Sequence, residues 1–437
     1  MNEQLWPEAF VSRMHRQLGE ELPAFLRALA EPAARGIRLN PCKPADLPQD
    51  DWLEPVPWEP DARYLVPDSR AGATAAHEAG AFYLQEPSAM LPARALAVRP
   101  GERVLDLCAA PGGKSTQLGA QMAGRGLLVC NEPVPARAKI LSRNVERMGL
   151  CNALVVSAWP EQLARRWPGG FDAVLADAPC SGEGMFRREP ETAAEWSEEK
   201  ALGCAKRQRE ILTAAAALVR PGGRLVYATC TYHPAENEDN ADWFLQTFPE
   251  FEPLPFFLPE AEAPEGRFTC YPHRLRGEGQ FAAAFRKKGE GEAMLPPDKS
   301  LPRPAREEQT MLAKQFPAFP PATHRLGETL VSLADCPETA GLKVLRAGVH
   351  LAHARGGILT PDHALALCAA PPACPAAELS PAQALRYLAG ETLEAPEAEK
   401  GWRLLRYRGL ILGWGKASGG QIKNHYPKGL RSSRLLP

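Results

Sequence analysis

Three observations predict an α/β protein with a Rossmann-like core of mostly parallel strands. Between residues 79 and 288, short apolar runs alternate with longer stretches of helical spacing. The first strand candidate leads into a tight loop with Gly112-Gly113 and then a helix, the layout of a nucleotide-binding turn. A Pro- and Gly-rich stretch at 289–305 then reads as a linker to a third region. The flanking parts, 1–78 and 306–437, read as smaller α+β regions.

Taken in order, Pro7–Leu18 and Glu20–Ala30 have helical apolar spacing, and Gly36–Asn40 reads as a short strand. From Pro44 to Pro67 the chain is rich in Pro, Asp and Trp, which predicts irregular connections. In the core, strands are predicted at Arg103–Cys108, Leu127–Glu132, Ala153–Ser157, Phe171–Asp177, Arg224–Cys230 and Phe281–Arg286. Helices are predicted at Lys114–Met122, Val134–Met148, Glu198–Val219 and Asn237–Phe248. Gly222-Gly223 is the stop signal between the long helix and the strand from Arg224.

A length of 437 residues allows two or three domains, and a net charge of −1 confines any nucleic-acid surface to one face. From Gly401 onward, Arg403, Arg406, Arg408, Lys416, Lys423, Lys428, Arg431 and Arg434 occur without an Asp or Glu. Trp402, Tyr407, Trp414, His425 and Tyr426 lie among them, a mixture suited to phosphate contact plus base stacking. Eleven cysteines, with no Cys-x-x-Cys pair, read as reduced thiols rather than a disulfide or zinc framework, so no metal is expected. Met1–Leu18 lacks the apolar segment of a secretory signal, and no run reaches the ~20 apolar residues of a membrane span. These features predict a soluble cytoplasmic protein with no membrane contact.

Three ligands compete for the loop after Arg103–Cys108. A dinucleotide site wants Gly-x-Gly-x-x-Gly, but Ala109, Pro111 and Lys114 stand where glycines belong. A phosphate-binding P-loop accounts for Gly113-Lys114-Ser115 but finds Cys108 in place of its first glycine. S-adenosylmethionine has a ribose and no phosphate, so a proline-stiffened loop suits it. Glu132, at the end of the next strand, is placed to accept both ribose hydroxyls.

Cys180 and Cys230 each follow the carboxyl end of a predicted strand, where ligands bind in open α/β sheets. An isolated cysteine of this kind is most often a buried, inert thiol. Two at one rim, with Asp177 beside them, fit covalent chemistry on a pyrimidine. C5 of such a ring is not nucleophilic. Adding a thiolate at C6 makes it enamine-like, and loss of the C5 proton after methylation expels the thiol. That route also needs an acid near N3.

The runs Gln85-Glu86-Pro87-Ser88-Ala89-Met90, Cys108–Ser115, Asp177-Ala178-Pro179-Cys180-Ser181-Gly182-Glu183-Gly184 and Thr229-Cys230-Thr231 resemble the NOL1/NOP2/Sun family of RNA cytosine-C5 methyltransferases. The ending from Gly413 to Arg431 resembles the RsmF-type subgroup, which methylates small-subunit ribosomal RNA. The resemblance implies a Rossmann-like S-adenosyl-L-methionine methyltransferase core, an N-terminal RNA-binding region and a PUA-like C-terminal RNA-binding region.

It implies Cys230 as the nucleophile, Cys180 as the promoter of product release, and Asp177 facing the cytosine near the methionine end of the cofactor. Cys108, Ala109, Ala110, Pro111, Gly112, Gly113 and Lys114 would wrap the cofactor. Glu132 would hold its ribose, and Arg137 would reach the site from the next helix. Where the family often carries an Asp near the adenine, this chain has Ser157. The implied partner is 16S rRNA or the small ribosomal subunit; nothing in the sequence demands a dimer, so a monomer is expected. A non-catalytic RNA-binding assembly factor, or the same chemistry on tRNA or 23S rRNA, is the alternative.

Overall fold

The computed structural model describes residues 6–436, so the readings of residues 1–5 and 437 lie outside it. Strands β1 (Gly36–Leu39), β2 (Trp52–Pro55), β3 (Ala62–Leu65) and β4 (Phe82–Leu84) form an antiparallel sheet in the order β2-β3-β1-β4. Two of them, β2 and β3, correct the expectation of irregular connections from Pro44 to Pro67. The prolines there sit at strand ends and turns, while Val56, Trp58, Ala62 and Tyr64 are buried and anchor the segment. The predicted N-terminal helices are present at Glu8–Leu18 and Leu22–Leu29.

The central sheet holds β5 (Arg103–Asp106), β6 (Leu127–Asn131), β7 (Ala153–Ser157), β8 (Phe171–Asp177) and β9 (Val219–Thr229). They run parallel in the spatial order β7-β6-β5-β8-β9. Leu105, Val129, Leu154, Val174 and Leu225 are buried on one face, and Val104, Leu128, Val155, Leu175 and Val226 on the other. Two-sided burial is why these strands read as unbroken apolar runs rather than alternating ones. The covering helices Gly113–Met122, Pro135–Arg147, Glu198–Leu218 and Glu238–Thr247 lie close to their predicted bounds. Ser197 caps the longest of these, its side chain accepting from the Lys200 amide.

After β10 (Phe251–Pro253), the hairpin β11 (Phe256–Leu258) and β12 (Ala261–Ala263), and β13 (Arg267–Cys270), strand β14 (Gln280–Lys287) lies antiparallel against β9. The stretch 289–305 lies against the rest of the molecule. Its Asp298 is buried and accepts from the Thr339 amide at 2.7 Å and the Leu301 amide at 2.6 Å. Beyond it, β15 (His324–Leu326) and β16 (Thr329–Ser332) begin a second small sheet, and β17 (Lys343–Ala347) adds an antiparallel edge to β7. The central sheet therefore recruits a strand from the third region.

The last part, from Ala376 to Asn424, is a five-stranded sheet sharing a core with the N-terminal sheet: Ile37, Leu65 and Phe82 cluster with Leu388, Leu405 and Tyr426. Its aromatics divide in a way their spacing did not reveal. Tyr407, Trp414 and Tyr426 are buried, which corrects their reading as base-stacking residues. Trp402 and His425 pair at 4.4 Å on the outer side, with Lys416 5.2 Å above the Trp402 ring. Trp402 pairs in register with Lys416, and Lys416 with Lys423, so one face carries an aromatic–basic row. Among the described residues, no helix is long and apolar enough to cross a membrane, and no group of three or more His, Cys, Asp or Glu is placed to hold a metal ion.

Candidate active site

The order of the parallel strands reverses between β5 and β8, and the crevice beyond their carboxyl ends is where such sheets bind ligands. The residues singled out from sequence gather at this rim. Cys108 and the glycine loop follow β5, Glu132 follows β6, Asp177 ends β8 with Cys180 just beyond, and Cys230 follows β9.

The loop is shaped for a ligand. Gly112 has φ +115°, a region closed to most side chains, and a Cβ there would meet Leu141 at 3.3 Å. Arg137 donates to the Ala110 carbonyl at 3.1 Å and Asn144 to that of Pro111 at 2.8 Å, so the next helix grips the loop. Glu132 is buried. One of its oxygens accepts from the Val134 amide at 2.9 Å, and the other faces the Arg137 guanidinium at 3.4 Å. Ser157 stands at the neighbouring strand end, its hydroxyl donating to the Pro133 carbonyl at 3.3 Å.

Asp106, unremarked in the sequence reading, forms the buried floor. Ser115 donates to its Oδ2 at 2.6 Å, and its Oδ1 has no partner among the described residues. A buried acceptor on Asp106, a loop whose turn takes only glycine at 112 and the buried carboxylate of Glu132 suit a ligand that carries hydrogen-bond donors, as S-adenosylmethionine does. Burial pushes the Asp106 carboxyl up to about 7, outweighing the Ser115 hydrogen bond. The folded state thus keeps a proton that the unfolded chain releases near pH 4. Stability contributed by this group falls as pH rises from about 4 to about 7, then levels off. Asp106→Asn is expected to flatten that fall by the order of 2–4 kcal/mol, read from thermal unfolding without cofactor at pH 5 and pH 8.

The two thiols face each other with Cys180 Sγ and Cys230 Sγ 3.1 Å apart, and the Cys230 amide donates to Cys180 Sγ at 3.3 Å. The contact with Cys230, burial, and the nearby Glu236 carboxylate push the Cys180 thiol well above its ordinary range. These surroundings favour the neutral thiol at Cys180. Lys114 Nζ donates to Asp177 Oδ2 at 2.8 Å. Burial disfavours the ammonium, but Asp177, with a further contribution from Cys230, outweighs that and holds Lys114 above its usual value. The Lys114 ammonium is thus fixed close to Cys230.

The loop carrying Cys180 is fastened from behind. Glu236 accepts from the Ser181 amide at 3.0 Å and from Gln208 at 2.8 Å, and the Gly184 amide donates to the Cys230 carbonyl at 2.9 Å. A Cβ on Gly184 would meet the Gly279 backbone at 2.5 Å, so the two loops can close only over glycine. A groove of about 780 Å³, lined by Cys180, Ser181, Trp196, Lys200 and Arg207, opens beside the thiols.

Residues 93–286 match the family described as 16S rRNA methyltransferase RsmB/F. Residues 6–87 match the RsmF N-terminal domain, 309–368 its first C-terminal domain and 374–432 its PUA domain. The ribosomal RNA small subunit methyltransferase F of Salmonella paratyphi A is 34% identical over 470 aligned positions, covering 99% of this chain and 98% of the relative. The Salmonella heidelberg protein of the same description is similar to the same extent. Among solved structures, a methyltransferase homologue from Pyrococcus horikoshii superposes with a TM-score of 0.57 at 28% identity, over 65% of this chain and 96% of that one. NSun6 from Pyrococcus horikoshii, solved with SFG, superposes with a TM-score of 0.58 at 20% identity, over 65% of this chain and 99% of that one, and shares the fold.

Fold and rim together define an S-adenosylmethionine-dependent methyltransferase with a PUA domain. Within that class, the chain belongs to the RsmF family of 16S rRNA methyltransferases.

Proposed function

We propose that the protein methylates C5 of cytosine in 16S rRNA through a covalent bond between Cys230 and C6. The single observation carrying this reading is the thiol pair at 3.1 Å beside the Lys114–Asp177 ion pair. S-adenosylmethionine supplies an electrophilic methyl group. Cys230 adds as thiolate to C6, C5 takes the methyl carbon with the cofactor's thioether as the leaving group, and loss of the C5 proton to solvent returns the electrons that expel the thiolate. Cys180, kept protonated, promotes release of the methylated RNA. Asp177 faces the cytosine, and Lys114 is held at the same place by its ion pair. Cys108, Ala109, Ala110, Pro111, Gly112 and Gly113 wrap the cofactor, Glu132 binds its ribose, and Arg137 braces both.

The target base must leave its stack, at a cost of a few kcal/mol that contacts elsewhere have to offset. The row of Trp402, His425, Lys416 and Lys423 on the PUA domain is suited to that, with cations for phosphate and a ring for a base. The working unit is one chain, because thiols, acid and cofactor loop all belong to it. The thiolate route itself calls for no metal, and its place of action is the cytoplasm, where ribosomal subunits are built.

The test is transfer of a labelled methyl group to 16S rRNA, naked and in small subunits, followed by bisulfite mapping. Label at C5 of cytosine in 16S rRNA is expected. Label in tRNA or 23S rRNA alone would move the substrate. Binding of 16S rRNA with no transfer to any RNA would favour the assembly-factor reading.

A further inference from the structure

Two buried arginines carry the N-terminal region into the active site, one to each of its working loops. Arg13, on the helix Glu8–Leu18, is buried beside the nucleophile loop. Its Nη2 pairs with the fully buried Glu183, and its Nη1 donates to the Tyr232 carbonyl at 3.3 Å and to Gln17 at 2.9 Å. Gln17 donates to that same carbonyl at 3.1 Å, and Glu183 accepts from the Tyr232 amide at 3.1 Å. Tyr232 is two residues from Cys230, and Gly184, next to Glu183, donates to the Cys230 carbonyl. Around them Phe10, Met14 and Phe25 share a core with Phe186, Trp196 and Tyr232.

Arg38, on β1, is 1% exposed and makes the matching contacts on the cofactor side. It donates to the Gly113 carbonyl at 3.1 Å, to Thr116 Oγ1 at 2.8 Å and to Gln85 Oε1 at 2.9 Å, with its guanidinium 5.7 Å from the Tyr83 ring centre. Gly113 and Thr116 form the first turn of the helix that the cofactor loop enters. Burial lowers Arg38 to about 10, which leaves it charged at neutral pH.

A region that only carried RNA would have no need to bury two guanidiniums, since each unpaired buried charge costs several kcal/mol. Arg13 is paired with Glu183, and Arg38 is held by the neutral acceptors Gly113, Thr116 and Gln85, so each is fixed at a loop of the site. A planar fork with several donors fixes the direction as well as the distance of what it holds.

We propose that Arg13 and Arg38 are positioning residues through which the N-terminal region completes the active site, Arg13 setting the Cys230 loop and Arg38 the cofactor loop. The proposal rests on the reading of Cys230 and the glycine loop given above.

It predicts a double dissociation in the full-length protein. Arg38→Met should weaken S-adenosylhomocysteine binding, read by calorimetry, about tenfold, while single-turnover methyl transfer at saturating cofactor stays within about threefold of the parent. Arg13→Met should leave that binding within about twofold and slow single-turnover transfer about 10- to 100-fold. Affinity for 16S rRNA, read by filter binding, should change less than about twofold in either. Lysine at either position should restore part of the loss. Thr116→Val and Gln17→Met remove one anchor of each fork and should show the same split in weaker form, even where an arginine variant fails to fold. Equal losses in both measurements for both arginine variants, or a fall in RNA affinity with both measurements unmoved, would overturn the proposal. A parent protein that binds no S-adenosylhomocysteine or transfers no methyl group would instead overturn the functional reading beneath it.

Discussion

Incubated with S-adenosylmethionine and 16S rRNA, the Cys180→Ala variant is expected to run on a denaturing gel as a protein–RNA adduct, and Cys230→Ala is expected to give none. The sulfurs are close enough, at 3.1 Å, that either could approach the same ring, so position alone does not separate their roles. Electrostatics does. The Cys230 contact, burial and Glu236 act together to keep the Cys180 proton in place. Cys230 carries the other sulfur and has the Lys114 ammonium close by. Removing Cys230 removes the step on which all others depend, and methylation should fall by at least about 10⁴-fold. Removing Cys180 leaves addition intact and impairs release, so the covalent species accumulates. Adduct from Cys230→Ala with none from Cys180→Ala would exchange the two roles. Full methylation by Cys230→Ala would end the covalent route.

The parts of this site that were legible in sequence share one property: each sits where local pattern and chemistry coincide. β5, β8 and β9 are short apolar runs ending in Asp106, Asp177 and the Thr229-Cys230 step, and a parallel sheet delivers such ends to one rim. The loop at Gly112 was readable because left-handed backbone selects glycine. What escaped was long-range. Arg13 and Arg38 look like ordinary polar positions on a helix and a strand, and nothing local marks them as buried against Glu183 and Gly113, 170 and 75 residues away. Strand β17 joins β7 from the far side of a proline-rich stretch, a pairing no periodicity announces. β2 and β3 were hidden by prolines that mark their ends. The terminal aromatics were misjudged for a related reason: alternate residues of a strand face opposite ways, and composition cannot say which way is out. In the register that formed, Tyr426 turns into the core shared with the N-terminal sheet while its neighbour His425 faces outward; Trp414 shares a face with the half-buried Trp402 but is covered by Phe319 and donates its ring N–H to the Asp362 carbonyl.

Lys114→Met and Asp177→Asn are each expected to slow single-turnover methylation by about 10²–10³-fold, and the double variant by little more than either alone. Attack of sulfur at C6 pushes electron density toward N3 and O2 of the ring. That charge needs a donor already in place, because recruiting one from water would carry a reorganisation cost at each turnover. Lys114 is suited to that part: largely buried, with its ammonium fixed 2.8 Å from Asp177. Asp177 is more exposed than its partner and keeps acceptor capacity on the side open to the base, suited to the exocyclic amino group that separates cytosine from uracil. Each residue therefore depends on the other. Without Asp177 the ammonium loses its anchor, and without Lys114 a carboxylate faces the developing charge unneutralised. Groups that act as one unit show strongly non-additive losses, so the cycle should return a coupling of at least about 2 kcal/mol. Losses that simply multiply in the double variant would mean that the two side chains act separately. A rate for Asp177→Asn within about threefold of the parent would remove the base-facing role from that residue.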